Sequence, residues 1–299
     1  MQNLIVLGLF GLVAQLVDGT LGMAYGVTST TLLLTAGAAP AIASATVHIA
    51  EIGTTLASGT AHWRFGNVDW RTVGLMAGPG AVGAFIGAVV LSSLSAEIAT
   101  PWVAGILFFL GVYILARFTR RRQTPKPEST RRLRAGFLLP LGAVAGTIDA
   151  MGGGGWGPIG TSSLLSSGRL EPRKVVGSID TSEFVVAIGG SLGFLLALGS
   201  EGIRWDIALA LLAGGVVAAP VAAWLVRHLP ARILGVAAGG VIVLTNIKTI
   251  VESFGATGST VAILAAAWVV VWLQLLVIAI RAERRSRRIP QEEPTIASA

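Results

Sequence analysis

Long, nearly uncharged apolar runs constrain the fold of this chain more than any other feature. Runs such as residues 73–94, 207–226 and 261–280 reach the roughly 20 residues that a helix needs to cross a bilayer. Only 12% of the 299 residues are charged, whereas an ordinary soluble domain carries about 25%. The mean hydropathy is +0.76. The sequence therefore predicts an all-α polytopic membrane protein.

Charge and cysteine content exclude several function classes. The formal net charge of +7 is concentrated in two basic clusters, residues 117–134 and 281–288, each beside the end of an apolar run. Cytoplasmic flanks of membrane helices have this pattern, so no nucleic-acid partner is expected. The chain has no cysteine, which excludes disulfides and thiolate metal sites. Motifs for nucleotide binding or enzyme catalysis are missing, so neither a cofactor nor an enzyme is predicted.

A glycine-rich stretch, "IDAMGGGGWGP", has a partner about 131 residues earlier, "VDGTLGMAYGV". Tyr25 then corresponds to Trp156. One inserted residue brings further landmarks into register, and these paired positions are Asp18 with Asp149, Gly22 with Gly153, Gly26 with Gly157, Thr30 with Thr161, Pro40 with Pro172, and Glu51 with Glu183. Chance does not supply so many matches in one register, so the sequence predicts an internal repeat.

Each repeat is predicted to hold five hydrophobic segments, of which the first two are short or re-entrant. The predicted segments are 4–17, 22–36, 41–61, 72–94 and 98–117, then 135–148, 156–167, 173–199, 205–227 and 231–250, with 259–280 standing alone. The predicted organisation is a first repeat (1–117), a basic cytoplasmic linker (118–134), a second repeat (135–252), a terminal transmembrane helix (253–281) and a cytoplasmic tail (282–299).

The distribution of basic residues predicts an orientation in the plasma (inner) membrane. With the linker in the cytoplasm, every loop predicted inside carries Arg or Lys, whereas Arg204 is the only basic residue in the loops predicted outside. The N-terminus is then outside and the C-terminus cytoplasmic. An odd number of segments turns the second repeat upside down relative to the first, and inverted repeats are typical of secondary transporters.

Six ionisable residues fall within apolar segments and are predicted to couple ion movement: Asp18, His48, Glu51, Asp149, Asp180 and Glu183. An ionised carboxylate in lipid costs several kcal/mol, so these groups are expected to face the bundle interior. The three-residue offset from His48 to Glu51, and from Asp180 to Glu183, puts each pair on one helix face. Inversion brings Glu51 and Glu183 towards the pseudo-two-fold axis, where two close carboxylates resist ionising together. This predicts a proton carrier, with sodium as the alternative coupling ion.

Structural interpretations compete with this hypothesis. In one of them, the two Glu side chains only cap or bridge helices. Asp18 and Asp149 each precede a break, where an aspartate is a good N-cap for the next short helix. His48 could form a polar bridge to Glu51. A metal centre is not predicted, because one His with scattered carboxylates lacks the usual ligand spacing.

The broken helices predict a substrate site near the membrane centre. Half-helices that begin near Tyr25 and Trp156 would aim N–H groups and positive dipole ends at a small anion. The glycines allow a ligand to approach the backbone, and hydroxyl groups add donors. The predicted substrate-binding residues are Gly22, Tyr25, Gly26, Thr30, Gly152, Gly153, Gly154, Gly155, Trp156, Gly157 and Thr161.

The acidic character of these segments leaves two functions open. No Lys or Arg is expected at membrane depth beside the motifs, and five of the six ionisable residues are acidic. An anion can bind there if protons or sodium neutralise the carboxylates. The alternative is a cation or metal-ion transporter or channel that uses the carboxylates and His48.

In these motifs the chain resembles the TauE/SafE sulfite exporter family. The stretch "DAMGGGGWGPIGTSSLL" is similar to the family pattern. The stretch "GMAYGVTSTTLLL" is similar to the variant of one branch of the family. This first motif of the chain lacks the glycine triplet and keeps Gly19, Gly22 and Gly26. The resemblance covers most of residues 10–250. It implies export of sulfite or an organosulfonate such as sulfoacetate.

Overall fold

The structure is a computed structural model that describes residues 4–21, 23–120, 132–200, 203–225, 231–256 and 258–286. These residues form helices, with no strand among them. The elements are α1 (Leu4–Leu21), α2 (Tyr25–Thr35), α3 (Pro40–Arg64), α4 (Trp70–Ser93), α5 (Ala96–Thr119), α6 (Ala135–Gly152), a π-helical turn (Gly157–Thr161), α7 (Ser162–Ser166), α8 (Pro172–Leu198), α9 (Trp205–Leu225), α10 (Ala231–Ser253) and α11 (Gly258–Ser286).

Six of the described helices, α4, α5, α6, α8, α10 and α11, are long and apolar enough to cross a membrane. Large apolar side chains such as Phe109, Leu196 and Ile263 are exposed on the outer helix faces, where lipid would cover them. The expectation of an all-α polytopic membrane protein is confirmed. The basic linker and the tail lie mostly outside the described residues.

The helices follow the predicted segments in order. The second segment of each repeat is short, as expected: α2 has 11 residues, and the π-helical turn with α7 covers only residues 157–166. The first segment of each repeat is longer than predicted, since α1 continues past residue 17 to Leu21 and has 18 residues. Helix α6 likewise continues past residue 148 to Gly152 and has 18 residues. It ends where Gly153 adopts a φ of +67°, a left-handed conformation that suits glycine at a helix end.

Helix packing relates the two halves. Helix α1 packs against α9 and α6 packs against α4, while α3 packs against α8 and α5 against α10. Exchanging the first five segments with the second five reproduces this set of contacts. Glycines bring the backbones together: a Cβ on Gly11 would lie 2.2 Å from the Leu211 carbonyl oxygen, and one on Gly146 would lie 2.1 Å from that of Gly80. The inverted orientation of the two repeats stays a prediction.

The same correspondence appears where the long helices reach the short segments. Tyr113 on α5 donates its hydroxyl hydrogen bond to Ser162 at the start of α7. Asn246 on α10 donates its side-chain N–H to Thr31 on α2 at 3.2 Å. Thr31 and Ser162 follow the paired residues Thr30 and Thr161, so each half holds the other's short segment in an equivalent place.

Candidate functional site

The first break separates α1 from α2 and lies inside the protein. Ala24 precedes α2 with a φ of 104°, a conformation that L-residues with a side chain rarely adopt. Asp18 on α1 accepts a hydrogen bond from the Tyr25 N–H at 3.1 Å. The aspartate thus caps α2, which satisfies a backbone donor that the helix itself cannot.

The second break has the same construction. Asp149, which is 1% exposed, accepts hydrogen bonds through Oδ1 from the N–H groups of Gly155 at 2.6 Å and Trp156 at 2.9 Å. The indole N–H of Trp156 donates to the Ile179 carbonyl oxygen at 3.1 Å. Both aspartates therefore occupy backbone donors that the sequence assigned to an anionic substrate.

The two glycine motifs cross in direct contact. A Cβ on Gly26 would lie 2.4 Å from the Gly153 carbonyl oxygen and 2.8 Å from Glu51 Oε1. A Cβ on Gly154 would lie 2.0 Å from the Val27 nitrogen. The Thr30 hydroxyl donates to the Gly153 carbonyl oxygen at 2.9 Å. These positions require glycine because of close backbone approach, and the broken segments of the two repeats meet here.

A buried cluster lies behind this crossing. His48 Nε2 lies 3.3 Å from Asp149 Oδ2, and Nδ1 lies 2.9 Å from the Ser44 carbonyl oxygen and so carries a proton. The approach to Asp149 is that of an ion pair without hydrogen-bond alignment. Neither carboxylate oxygen of Glu51 has a hydrogen-bond partner, so the suggested bridge from His48 to Glu51 is wrong.

The same cluster has the geometry to hold a metal ion. One ligand atom each from His48, Glu51 and Asp149 lies within 4.8 Å of the others, and all three side chains are buried. This grouping was not expected from the sequence, because Asp149 comes from the other repeat. Long-range contact between the repeats, rather than spacing along the chain, brings these ligands together.

On α8, Asp180 is held by two side chains of α3. The Ser58 hydroxyl donates to Asp180 Oδ2, and His62 Nε2 lies 3.8 Å from the same oxygen. Glu183 follows Asp180 by one helical turn and lines the same space. The acidic pair of the second repeat therefore faces the polar stripe of α3.

Two small adjoining cavities lie between the break after α1 and helix α8. Each has a volume of about 10 Å³, room for about one water molecule. Both are lined by Asp18, Tyr25, Asp180 and Glu183. The first is completed by Met23, Ala24, Gly26, Gly154, Gly157, Pro158 and Ile179, and the second by Gln15, Glu51, Thr54, Thr55 and Ser58. The cavities are acidic, and no Lys or Arg is among the described residues that line them.

The structure separates the predicted site residues into two groups. Those that line a cavity are Asp18, Tyr25, Gly26, Glu51, Gly154, Gly157, Asp180 and Glu183. Those buried beside the breaks without lining either cavity are Thr30, His48, Asp149, Gly152, Gly153, Gly155, Trp156 and Thr161. Gly22 lies outside the described residues. Glu51 connects the two groups, since it lines the second cavity and belongs to the His48 cluster.

Several polar residues of the site were missed in the sequence. Thr55, Ser58 and His62 follow Glu51 at offsets of four, seven and eleven residues, so they continue one face of α3. Helical periodicity starting from Glu51 was the signal that would have found them. Ser58 and His62 reach Asp180, and Thr55 lines the second cavity.

A basic residue also lies nearer the motifs than expected. Arg117, near the end of α5, donates to the Tyr113 hydroxyl at 3.2 Å and to the Ser162 hydroxyl at 3.4 Å. The sequence placed Arg117 in the basic cluster before the linker and predicted no Lys or Arg at membrane depth beside the motifs. Arg117 reaches the second short segment because α5 brings its C-terminal end against the start of α7.

Comparison with known proteins identifies the family. The sequence model of the sulfite exporter TauE/SafE family matches residues 7–249. The chain is 47% identical over 273 residues to "Probable membrane transporter protein YtnM" of Bacillus subtilis (strain 168), covering 91% of each chain. It is 29% identical over 143 residues to "Probable membrane transporter protein YdhB" of the same organism, covering 48% of this chain and 58% of that one. No solved structure matches. The chain is an integral membrane transporter and belongs to the TauE/SafE sulfite exporter family.

Proposed function

We propose that this protein is a secondary transporter that exports a small sulfur-containing anion, sulfite or an organosulfonate such as sulfoacetate. A proton is the coupling ion that the sequence favours, with sodium as the alternative. One observation carries the proposal: the broken segments of the two repeats cross at Gly26 and Gly154, directly beside Glu51 and the acidic cavities. Discontinuous helices that meet among ionisable groups are the usual construction of a secondary transporter's binding site.

The broken segments retain donors for an anion. Thr28 on α2 and Thr161 in the π-helical turn are buried, and their hydroxyl groups have no hydrogen-bond partner in the structure. Gly26 and Val27 lie in the first turn of α2, where backbone N–H groups have no partner within the helix. These groups would bind oxygen atoms of a sulfonate or sulfite. The backbone N–H groups of Tyr25, Gly155 and Trp156 are not available for this, because they donate to the capping aspartates.

The carboxylates determine when an anion can bind. Asp18, Glu51, Asp180 and Glu183 would repel it while they are ionised and unpaired. Cation uptake neutralises these groups and so favours anion binding, which couples the two movements. The small cavities have no room for a sulfonate, so substrate entry requires α2 and the residue 153–157 segment to separate from α8.

A second function follows from the geometry of the His48 cluster. His48, Glu51 and Asp149 could hold a divalent metal ion. Glu51 also lines the second cavity, so it would pass the ion between the cluster and that cavity. The protein would then transport a metal ion as its substrate. We rank this function second because the family match and the hydroxyl donors of both broken segments favour an anion.

Flux measurements in proteoliposomes separate these functions. Purified full-length protein is assayed with sulfite, sulfoacetate, Zn²⁺ and Mn²⁺, each with an imposed pH gradient, a sodium gradient or no gradient. We expect saturable flux of a sulfur-containing anion that a cation gradient accelerates, and none in protein-free liposomes. Metal-ion flux without anion flux would contradict the proposal and support the second function.

A further inference from the structure

The two halves of the site differ at one pair of equivalent positions. The repeat pairs Asp18 with Asp149, and its register also pairs His48 with Asp180. In one half, the His48 imidazole lies against the Asp149 carboxylate at 3.3 Å. In the other half, Asp18 and Asp180 line both cavities. An imidazole and a carboxylate in one half thus correspond to two carboxylates in the other.

In the half with two carboxylates, the described residues that line the cavities include no Lys or Arg. Glu183 and Glu51 line the same space. His62 is the basic side chain that faces Asp180, at 3.8 Å and towards the end of α3. Glu51 is only 1% exposed, and both of its oxygens lack a hydrogen-bond partner. A buried carboxylate without a partner is costly, so a bound cation or a proton is expected to neutralise its charge.

The ligands suit a small hard cation. The second cavity is lined by four carboxylates, four hydroxyl groups and the Gln15 amide, all of which offer oxygen. Ser58 and Thr55 donate their hydroxyl hydrogens elsewhere, to Asp180 and to the Glu51 carbonyl oxygen, so their lone pairs can face an ion. A space of about 10 Å³ fits a single dehydrated ion or one water molecule. Coupling sites of secondary transporters take Na⁺ or H⁺, and an all-oxygen donor set suits Na⁺ as a hard metal cation.

We propose that a sodium ion binds among Asp18, Glu51, Asp180 and Glu183, and that His48 is the fixed positive charge at the equivalent place in the other half. The sodium ion enters and leaves its site, whereas the positive charge of His48 stays beside Asp149. Because it names the coupling ion, this inference rests on the proposed transport function. Sodium binding itself does not depend on which anion is carried.

Sodium binding is tested without any anionic substrate. The midpoint of thermal unfolding of the purified full-length protein is measured while NaCl replaces choline chloride at constant ionic strength and pH. We expect a saturable upward shift in the midpoint, which Asp180→Asn abolishes. The matched control Asp206→Asn retains the shift, because Asp206 is an exposed partner of Arg204 at the start of α9.

A second variant keeps the proposal testable if Asp180→Asn fails to fold. Asp180→His rebuilds the His–Asp pair of the other half, so it should unfold in choline at or above the wild-type midpoint and show no sodium shift. The proposal is overturned if the wild type shows no sodium shift, if only divalent cations or acidification shift it, or if either Asp180 variant keeps it. Sodium binding without anion flux would leave this inference standing and refute the anion function.

Discussion

At the scale of single residues, Asp149 divides its two oxygens between two tasks. Oδ1 caps the second broken segment, while Oδ2 lies 3.3 Å from His48. Asp18 repeats the cap in the first half and lines the cavities. The capping and ion-pathway interpretations are therefore compatible, because a carboxylate has an oxygen for each.

Substitutions of Asp149 separate the two tasks. Asp149→Asn keeps an oxygen that accepts the N–H groups of Gly155 and Trp156, whereas Asp149→Ala loses the cap, which costs about 1 kcal/mol. We expect the Ala variant to be the less stable by about that amount in reversible unfolding, and both variants to lose coupled transport. Equal stability of the two variants would show that the cap contributes little and that the contact with His48 holds the break.

The crossing of the glycine motifs gives a steric prediction. In Gly26→Ala, the new Cβ would lie 2.4 Å from the Gly153 carbonyl oxygen, so backbone must move. We expect a loss of about 1–3 kcal/mol in the free energy of unfolding. The control Gly74→Ala lies on α4 with nothing within 4 Å of its Cβ, and it should keep or slightly raise stability. Similar stability for both variants would mean that the two breaks do not touch.

At the scale of elements, α3 organises the site. His48, Glu51, Thr55, Ser58 and His62 share one face of this helix, and they contact α6 at one end and α8 at the other. The stripe therefore connects the buried His48 cluster to the acidic residues of the second repeat. A movement of α3 relative to α8 changes the surroundings of both carboxylate groups together.

Ser58 offers a test of this helix face. Ser58→Ala removes the hydrogen bond to Asp180 without changing charge. Because a hydrogen bond to a charged group is worth about 1.5–3 kcal/mol, we expect the cation concentration for half-maximal flux to change about tenfold or more. Thr60→Ala is the control, since Thr60 is on the same helix and donates only to the Leu56 carbonyl oxygen. Identical cation dependence in both variants would remove Ser58 from the site.

Sequence periodicity and the internal repeat predicted the order of the helices and both breaks, because apolar length and glycine content act locally. The contacts between the repeats could not be predicted from these local patterns. His48 pairs with Asp149 and Gly26 meets Gly154 only once the two halves pack, and neither pair has a signature in sequence spacing. The extra turns of α1 and α6 were missed for a related reason, since Asp18 and Asp149 accept hydrogen bonds from backbone donors in the breaks that follow.

At the scale of the whole molecule, the proposed transport requires two halves that face opposite sides of the membrane. The matched packing of α1 with α9 and of α6 with α4 supports two related halves. Inversion would place equivalent carboxylates on either side of one central site, so that opening one half exposes it to one compartment.

Orientation is directly measurable because the chain has no native cysteine. Ser95→Cys and Ser259→Cys lie in loops predicted outside, and Ser298→Cys lies in the tail predicted inside. We expect a membrane-impermeant maleimide to label the first two in intact cells and the third only after permeabilisation. Labelling of Ser95→Cys only after permeabilisation would reverse the predicted topology.

We propose that the carboxylates of Glu51 and Glu183 couple cation binding to anion transport. The most direct measurement is gradient-driven sulfite or organosulfonate flux in proteoliposomes that contain the double variant Glu51→Gln with Glu183→Gln. The exposed loop-proximal Glu97→Gln, at the start of α5, is the matched control. We expect the double variant to fold and insert but to lose the response of flux to pH and sodium gradients, while the control keeps it. Unchanged flux and unchanged gradient dependence in the double variant would contradict the account.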